Sequence, residues 1–244
     1  MTALREHQLR LLELLKDFDS ICSKYGITWW IDSGTLLGAA RHGGFIPWDD
    51  DVDVCILAKD LPKIKRLLSA NCPYPLAFDS DHNGKTRLSP RFIDKSQFIT
   101  RIDPQSGLPK KENLWIDTFV LRPGNLIVKK IIDPVYGRCI RRIYGGIQDG
   151  KWKKALAYMV YPLAWVATKA ASALGRAFHA HNLLHDFGVP FYSVRRSEDI
   201  FPLGRIEFEG QFFPAPARTD KYLRRIYGDY MKLPDKKVSH DIQF

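Results

Sequence analysis

The chain has 244 residues, of which 45% are hydrophobic and 12% aromatic, and its formal net charge at pH 7 is +10. This length and apolar content suffice for one domain with an insertion, and they exclude a globally disordered chain. Residues 129–176 carry ten basic side chains against two acidic ones, a local charge of +8 that predicts a negatively charged partner.

The cysteines and the first residues bear on the cellular compartment. Four cysteines lie far apart and form no Cys-x-x-Cys pair. That spacing argues against a structural zinc site and a disulfide framework, and it fits a reducing compartment. The chain carries Arg5 and Glu6 where a signal peptide needs an apolar stretch. We therefore expect a cytoplasmic protein.

Before residue 125 the hydrophobic pattern predicts alternating helices and strands. A helical period runs through residues 3–25, with Tyr25 as the last member of its apolar stripe, and Gly26 ends the helix. The further predicted elements are, in chain order, a strand over 27–32, a break at Ser33-Gly34, a helix over 35–41, a strand over 51–57, a helix from Asp60 to about residue 70, a connection over 71–75, and strands over 88–101 and 114–121.

From residue 125 to 187 the sequence turns basic, aromatic and helical. Strand-like and turn-like sequence returns near residue 201, and a last helix is expected around residues 220–227. We therefore predict an α+β fold with a mixed β-sheet flanked by helices. Its catalytic core would comprise residues 1–124 and 200–244, and residues 125–199 would be a basic helical insertion.

The acidic strand that follows Pro47 is the most informative stretch. Side chains alternate faces along a strand, so Asp51 and Asp53 would project from one face while Val52 and Val54 enter the core. Two neighbouring carboxylates repel each other unless a cation lies between them. Oxygen ligands in this arrangement suit Mg²⁺ or Mn²⁺.

Two other interpretations of this acidic run are open to physical argument. A run of acids is often a solvated loop, but a solvated loop has no reason to alternate with apolar residues as this one does. A calcium loop of the EF-hand type would need glycine where Val54 stands, and a β-branched residue cannot take that turn. The EF-hand interpretation is therefore rejected.

Two further segments fit the metal hypothesis. Asp32 to Gly38 predicts a strand end, a turn at Gly34-Thr35 and a helix start, where exposed amides and a hydroxyl can bind phosphate. Downstream, Asp117 is a lone carboxylate in an apolar strand. It is either a satisfied core aspartate or the third acid that a two-metal phosphoryl transfer needs.

The segment Gly34–Val54 closely resembles the signature of the LicD family, which includes bacterial phosphocholine transferases and is related to the fukutin-type ribitol-phosphate transferases. The resemblance covers roughly residues 1–123 and 200–240 and includes Phe208-Glu209-Gly210 near the end of the chain. It implies a core similar to polymerase-β-type nucleotidyltransferases. It also implies catalytic and metal-binding roles for Asp51, Asp53 and Asp117, with Gly34 and Thr35 on the substrate-binding turn. The family often has more histidines at its C-terminal end, where this chain has only His240.

The resemblance also implies a reaction. The donor would be a CDP-activated alcohol, CDP-choline above all, the acceptor a sugar hydroxyl of a cell-surface glycan precursor, and the product CMP. Arg41 and Arg91 are candidates for binding the phosphates, and Trp48 for stacking on the base or on choline. Surface salt bridges and core packing are the alternative roles of these side chains. A nucleotidyltransferase that releases pyrophosphate would share every carboxylate.

The basic insertion has two interpretations of its own. Residues 155–168 form an uncharged run that is too short to span a membrane but suits a helix in the interface of an anionic bilayer, where a lipid-linked acceptor would lie. The protein would then be peripheral on the inner face of the membrane. The alternative is a packed helical subdomain with a basic outer face. The spacing of His179, His181 and His185 could suggest a metal site, but no cysteine or acid completes one well, so ordinary polar helix positions are favoured. A non-catalytic nucleic-acid-binding module is disfavoured, because no nucleic-acid-binding motif is evident.

Overall fold

The computed structural model describes residues 2–64, 76–77, 91–102, 107–144 and 150–233. It has a mixed α/β architecture and divides into two compact units. The first unit comprises Met1–Ala77, Arg91–Thr118 and Asp199–Phe244, and the second comprises Phe78–Pro90 and Phe119–Glu198.

The helices are α1 (Ala3–Tyr25), α2 (Ser33–His42), α3 (Leu126–Tyr144), α4 (Lys151–Phe178), α5 (Ser197–Ile200) and α6 (Thr219–Tyr227). The strands are β1 (Trp29–Ile31), β2 (Asp53–Leu57), β3 (Leu76–Ala77), β4 (Arg91–Ile102), β5 (Pro109–Pro123), β6 (Asn182–His185), β7 (Arg195–Arg196), β8 (Gly204–Phe208) and β9 (Gln211–Ala215). A 3₁₀ turn at Ala58–Asp60 leads into helical residues 61–64.

The sheet of the first unit has the strand order β1-β2-β5-β4-β3. Strands β1 and β2 are antiparallel, as are β3 and β4 and also β4 and β5, with Arg91 opposite Asp117. The amide of Asp117 donates a 2.9 Å hydrogen bond to the carbonyl of Val52, which precedes β2. This order places the middle of β5 beside the start of β2, and so brings distant acidic residues together.

Helix α1 packs its apolar side into the core of the first unit. Its start is capped by the Thr2 hydroxyl, which accepts a hydrogen bond from the Arg5 amide, and it ends at Gly26, whose φ of 60° is left-handed. Phe18 makes edge-on contacts with Trp29 and Phe92, each with ring centroids 5.0 Å apart. The predicted helix is confirmed. Tyr25 is 43% exposed, so its place on the apolar stripe was wrong.

The predicted strand, turn and helix near the end of the chain are also confirmed. Strands β8 and β9 form an antiparallel hairpin whose turn residues Glu209 and Gly210 both have positive φ. Helix α6 then buries Tyr222 and Leu223. The position of the turn explains why a glycine follows Glu209 in the family motif Phe208-Glu209-Gly210.

The second unit is built around two long helices, in the region where the sequence predicts helices. Helix α3 begins after Asn125, whose side-chain oxygen accepts hydrogen bonds from two amides of the first turn. Helices α3 and α4 share a small core of Cys139, Ile143 and Ala157. In the same unit, the end of β5 pairs antiparallel with β6, and β6 pairs antiparallel with β7.

Some predictions fall elsewhere than expected. Helix α4 ends at Phe178, so His179 follows the helix and His185 belongs to β6; helix positions for these histidines were wrong. The connection over residues 71–75 and His240 lie outside the described residues. Among the described helices, none has a stretch long and apolar enough for a membrane crossing.

Candidate active site

Three carboxylates from two strands meet at one point in the first unit. Asp53 is the first residue of β2, Asp51 lies two residues before it, and Asp117 lies in the neighbouring strand β5. Each contributes an oxygen to a group whose atoms all lie within 4.8 Å of one another. The strand predicted to begin at Asp51 begins at Asp53, so Asp51 lies in the loop that leads into β2, and the strand order supplies Asp117.

The carboxyl group of Asp53 lies in an unfavourable electrostatic environment. Removal from water raises its pKa well above the usual value, and the negative charges of Asp51 and Asp117 raise it further. Asp32 and Asp49 act in the same direction. A cluster of this kind favours either a proton or a cation among its oxygens.

Asp117 is held in place by Arg91. The Arg91 Nε donates to an Asp117 carboxylate oxygen at 3.0 Å, and the guanidinium lies 3.9 Å from the ring centroid of Trp115. The indole N–H of Trp115 donates to the second Asp117 oxygen at 3.4 Å. Arg91 is therefore a buried partner of Asp117, not a member of a surface salt bridge, and its contact with substrate stays a prediction.

Asp49 lies next to this cluster, with which it shares Asp51 as a neighbour. Its side-chain oxygens form a second group with those of Asp50 and Asp51, again within 4.8 Å of one another. Burial, followed by the charge of Asp50, raises the pKa of Asp49 to about 6. A Cβ at Gly34 would lie 2.9 Å from an Asp49 oxygen, so only glycine fits there without displacing the carboxylate.

Gly34 and Thr35 lie in the first turn of α2, and both support Asp53. The Gly34 amide donates to the Asp53 carboxylate at 3.2 Å, while the Thr35 hydroxyl accepts a 2.8 Å hydrogen bond from the Asp53 amide. Thr35 is buried. The hydroxyl expected to face a phosphate holds the start of β2 in this structure, and its contact with substrate stays a prediction. Just before Gly34, Ser33 has a left-handed φ of 48°.

Asp32 is a buried carboxylate that the sequence analysis did not single out as functional. One of its oxygens accepts a 2.5 Å hydrogen bond from the Tyr222 hydroxyl. The other accepts from the Ser33 hydroxyl at 3.2 Å and the Cys55 thiol at 3.1 Å. The available sequence signal was an aspartate directly after the apolar strand Trp29–Ile31. Its partner Tyr222 lies 190 residues away in the chain.

The loop that carries the acidic run is fixed from two sides. On α1, His7 makes a 2.8 Å hydrogen bond with the Asp50 carbonyl, and the Gln8 side chain donates to the Asp49 carbonyl at 2.8 Å. From the β8–β9 turn, the Glu209 carboxylate accepts from the Phe45 amide at 3.0 Å. These contacts hold the backbone of the acidic residues in one position.

Arg41 and Trp48 flank the same loop. Arg41 donates from Nη1 to the Tyr230 carbonyl at 2.9 Å and from Nε to the His42 ring at 3.0 Å. Trp48 is half-buried, edge-on to His42 with centroids 6.4 Å apart. Their expected contacts with substrate stay predictions.

The donor set fits a hard divalent cation. Asp51, Asp53 and Asp117 offer carboxylate oxygens only, which Mg²⁺ and Mn²⁺ prefer over sulfur or imidazole ligands. Burial raises the pKa of Asp53, and the negative charges of the neighbouring aspartates raise it further; a bound cation would offset both effects.

Residues 26–121, which contain all three carboxylates, match the family model described as the nucleotidyltransferase domain of LicD, FKTN and FKRP. Residues 26–121 are thus similar to the LicD-family domain. The recognition of this family from the sequence motifs is thereby confirmed.

Several proteins are similar in sequence to this chain. The lipopolysaccharide cholinephosphotransferase LicD of Haemophilus influenzae is 26% identical over 256 residues, which cover 97% of this chain and 96% of that protein. The human ribitol 5-phosphate transferase FKRP is 49% identical over 45 residues, 18% of this chain and 9% of that protein. An uncharacterized protein of Rickettsia typhi, RT0683, is 47% identical over 66 residues, 24% of this chain and 21% of that protein. Of these three proteins, the two with a named activity are transferases.

Proposed function

We propose that this protein transfers a phospho-alcohol, phosphocholine in the first instance, from a CDP-activated donor to a sugar hydroxyl of a cell-surface glycan. CMP is the other product. The observation that carries the proposal is the convergence of Asp51, Asp53 and Asp117 inside the LicD domain. Similarity along nearly the whole chain to a lipopolysaccharide cholinephosphotransferase supports the donor and the acceptor class.

The proposal includes the fold and the cofactor. The first unit is a variant of the nucleotidyltransferase fold, in which β2, the loop that leads into it and β5 carry the catalytic acids. Asp51, Asp53 and Asp117 hold Mg²⁺ or Mn²⁺. When bound, the cation polarises the donor diphosphate and offsets the negative charge that develops on CMP. Peripheral association with the membrane is also proposed, because a lipid-linked glycan would be met there.

The reaction is a phosphoryl transfer between two oxygens. The acceptor hydroxyl oxygen forms a bond to the donor's β-phosphorus while the bond from that phosphorus to the oxygen of CMP breaks. The hydroxyl proton passes to a carboxylate of the cluster, and Asp117 is the candidate. Because Arg91 and Trp115 both bind Asp117, that carboxylate is held in a fixed orientation for this role.

Other residues around the carboxylates shape the site. Gly34 leaves room between the oxygens of Asp49 and Asp53, and Thr35 fixes the start of β2 through the Asp53 amide. Trp48 lies one residue from the acidic run and offers a half-buried indole on which the donor base or the choline ammonium can stack.

The test is product analysis with two donors. The purified protein is incubated with Mg²⁺, a bacterial lipopolysaccharide extract and either CDP-choline or CDP-ribitol, and nucleotides are separated by chromatography. We expect CMP to accumulate, and labelled choline or ribitol to appear in the glycan fraction. Parallel incubations contain a nucleoside triphosphate in place of the CDP-alcohol. Pyrophosphate release there, without CMP from either CDP-alcohol, would instead favour a nucleotidyltransferase.

A further inference from the structure

Helix α4 reverses the usual relation between side-chain size and burial. The side chains that it buries are small: Ala157, Ala164, Thr168, Ser172 and Gly175. Its large apolar side chains are mostly exposed; Met159, Leu163 and Phe178 have 74–75% of their surface open to solvent. Exposed large apolar groups of this kind call for a partner when they lie together.

These exposed side chains do lie together along the helix. They are Trp152, Leu156, Met159, Leu163, Val166, Leu174 and Phe178, which we call the α4 stripe. Steps of three, four or eight residues separate them, so they line one side of the helix. The buried small residues follow the same spacing with a different phase, and therefore line the opposite side. The α4 stripe is about 40 Å long at 1.5 Å per residue.

The charges of α4 are all of one sign. The helix contains five basic residues and no acidic one, and the basic residues are Lys151, Lys153, Lys154, Lys169 and Arg176. By the helical spacing, Lys153 lies on one flank of the helix and the other four lie on the opposite flank, between the α4 stripe and the buried residues. The amines of Lys153 and Lys169 also lie 5.8 and 5.1 Å from the ring centroids of Trp152 and Trp165.

Aromatic residues with a polar edge complete the pattern. Trp152, Tyr158 and Trp165 are all exposed, at 44–68% of their surface. Tryptophan and tyrosine favour the boundary between hydrocarbon and water, because the ring is apolar while its N–H or O–H group can stay hydrated. In the same unit, α3 exposes a shorter apolar row, Ile127, Ile131 and Val135, at four-residue steps.

We propose that the α4 stripe docks on the surface of an anionic phospholipid bilayer. The helix lies in the plane of the interface, with the stripe in the outer hydrocarbon and the basic residues on lipid headgroups. Charge decides the partner. A second copy of this chain would bring another helix of charge +5 against the first, whereas anionic lipid complements it. The proposal does not depend on which reaction the first unit catalyses.

The experiment is vesicle cosedimentation of the full chain at low and high salt. Vesicles are made of phosphatidylcholine alone or of phosphatidylcholine with one quarter phosphatidylglycerol. We expect the protein to sediment with the anionic vesicles in 50 mM NaCl, with apparent affinity at least about tenfold lower in 500 mM NaCl, since exposed charges are screened. Neutral vesicles should bind at least about tenfold more weakly.

Matched variants distinguish vesicle binding through the α4 stripe from non-specific adsorption by any exposed apolar residue. Met159→Gln with Leu163→Gln removes apolar surface without changing charge, and both positions are exposed, so the fold should remain. Phe212→Gln, at an exposed apolar residue of β9, is the control. We expect the double variant to lose about tenfold in affinity and the control to stay within twofold, with circular dichroism spectra unchanged.

Three outcomes would overturn the proposal. One is recovery of the native protein in the supernatant with both kinds of vesicle at low salt. Another is equal vesicle binding by native protein and double variant. The third is a dimer in analytical ultracentrifugation that the double variant converts to monomer, which would assign the α4 stripe to a second copy of the chain.

Discussion

Burial raises the pKa of the Asp53 carboxyl group, and the negative charges of four other aspartates raise it further. A carboxyl group whose pKa is higher in the folded than in the unfolded chain destabilises the fold at every pH above its unfolded pKa. At neutral pH and without metal, Asp53 therefore lowers the stability of the protein. A bound divalent cation would reverse that effect by stabilising the charged form.

The charged Asp53 carboxylate destabilises the metal-free fold but is a proposed metal ligand. Asp53→Asn should therefore have opposite effects on activity and on stability. The amide cannot replace a charged ligand, so transfer should fall at least about 100-fold. Without metal the melting temperature should rise by at least about 2 °C, the change that ~1 kcal/mol makes in a domain of this size. Rates of CMP release and calorimetric melting test the two effects.

The control for this substitution is Asp229→Asn, at an exposed aspartate near the end of α6. It should leave both the rate and the melting temperature unchanged. If the Asp53 variant turned over at the native rate with saturating Mg²⁺, Asp53 would have no part in the site.

Gly34→Ala tests the close approach of α2 to the acidic loop. The added Cβ would lie 2.9 Å from an Asp49 oxygen and 3.6 Å from an Asp53 oxygen, so at least one carboxylate must move. A shift of about 1 Å can cost on the order of 100-fold in rate. We expect transfer to fall at least about tenfold, while far-ultraviolet circular dichroism stays native.

Gly150→Ala is the matched control for that substitution. A Cβ there would meet its nearest neighbour, in Trp152, at 3.5 Å, an ordinary contact. Equal transfer rates in the Gly34 and Gly150 variants would mean that the acidic loop can shift without loss of activity. Its exact position near Gly34 would then be unimportant for transfer.

At the scale of elements, the β8–β9 hairpin secures the loop between α2 and β2. Glu209 accepts hydrogen bonds from the Phe45 amide and from both terminal nitrogens of Arg5. Arg5 in turn keeps the pKa of Glu209 below its usual value, mainly through those hydrogen bonds. The hairpin therefore connects the start of α1 to the loop that leads into the acidic run.

We expect Glu209→Ala to destabilise the protein by about 1–3 kcal/mol, because it leaves the Phe45 amide without its acceptor. Transfer should fall as well, since the loop leads directly to Asp49 and Asp51. Urea unfolding measures the first effect and CMP release the second. Glu207→Ala, at an exposed position of β8, should have neither effect. Indistinguishable unfolding curves for the two variants would remove Glu209 from this role.

For the molecule as a whole, local patterns predicted the elements well and the contacts between them less well. The period of α1 and the strand β2 are visible within a few residues, and both elements were confirmed, although β2 does not alternate but buries every residue after Asp53. Recognition of the LicD motifs drew Asp117 into the site, where the strand alone left a core aspartate as an alternative. The strand order then explains why it lies beside Asp51 and Asp53.

What the sequence did not predict depends on contacts between distant segments. The Tyr222–Asp32 and His7–Asp50 hydrogen bonds join residues 190 and 43 positions apart, and neither leaves a local pattern. The hydrogen bond that the Thr35 hydroxyl accepts from the Asp53 amide depends on the packing of α2 against β2, which no local pattern reveals. A surface salt bridge was the alternative role for Arg91, but the pairing register places Arg91 opposite Asp117, where it is buried.

Titration calorimetry of Mn²⁺ binding in the presence of CMP tests the central claim most directly, since it asks whether the three carboxylates form a metal site. The native protein should bind Mn²⁺, and Asp53→Asn should weaken that binding at least about tenfold, while Asp229→Asn binds like the native chain. Equal Mn²⁺ affinity in the native protein and the Asp53 variant would contradict a metal-dependent transferase built on Asp51, Asp53 and Asp117.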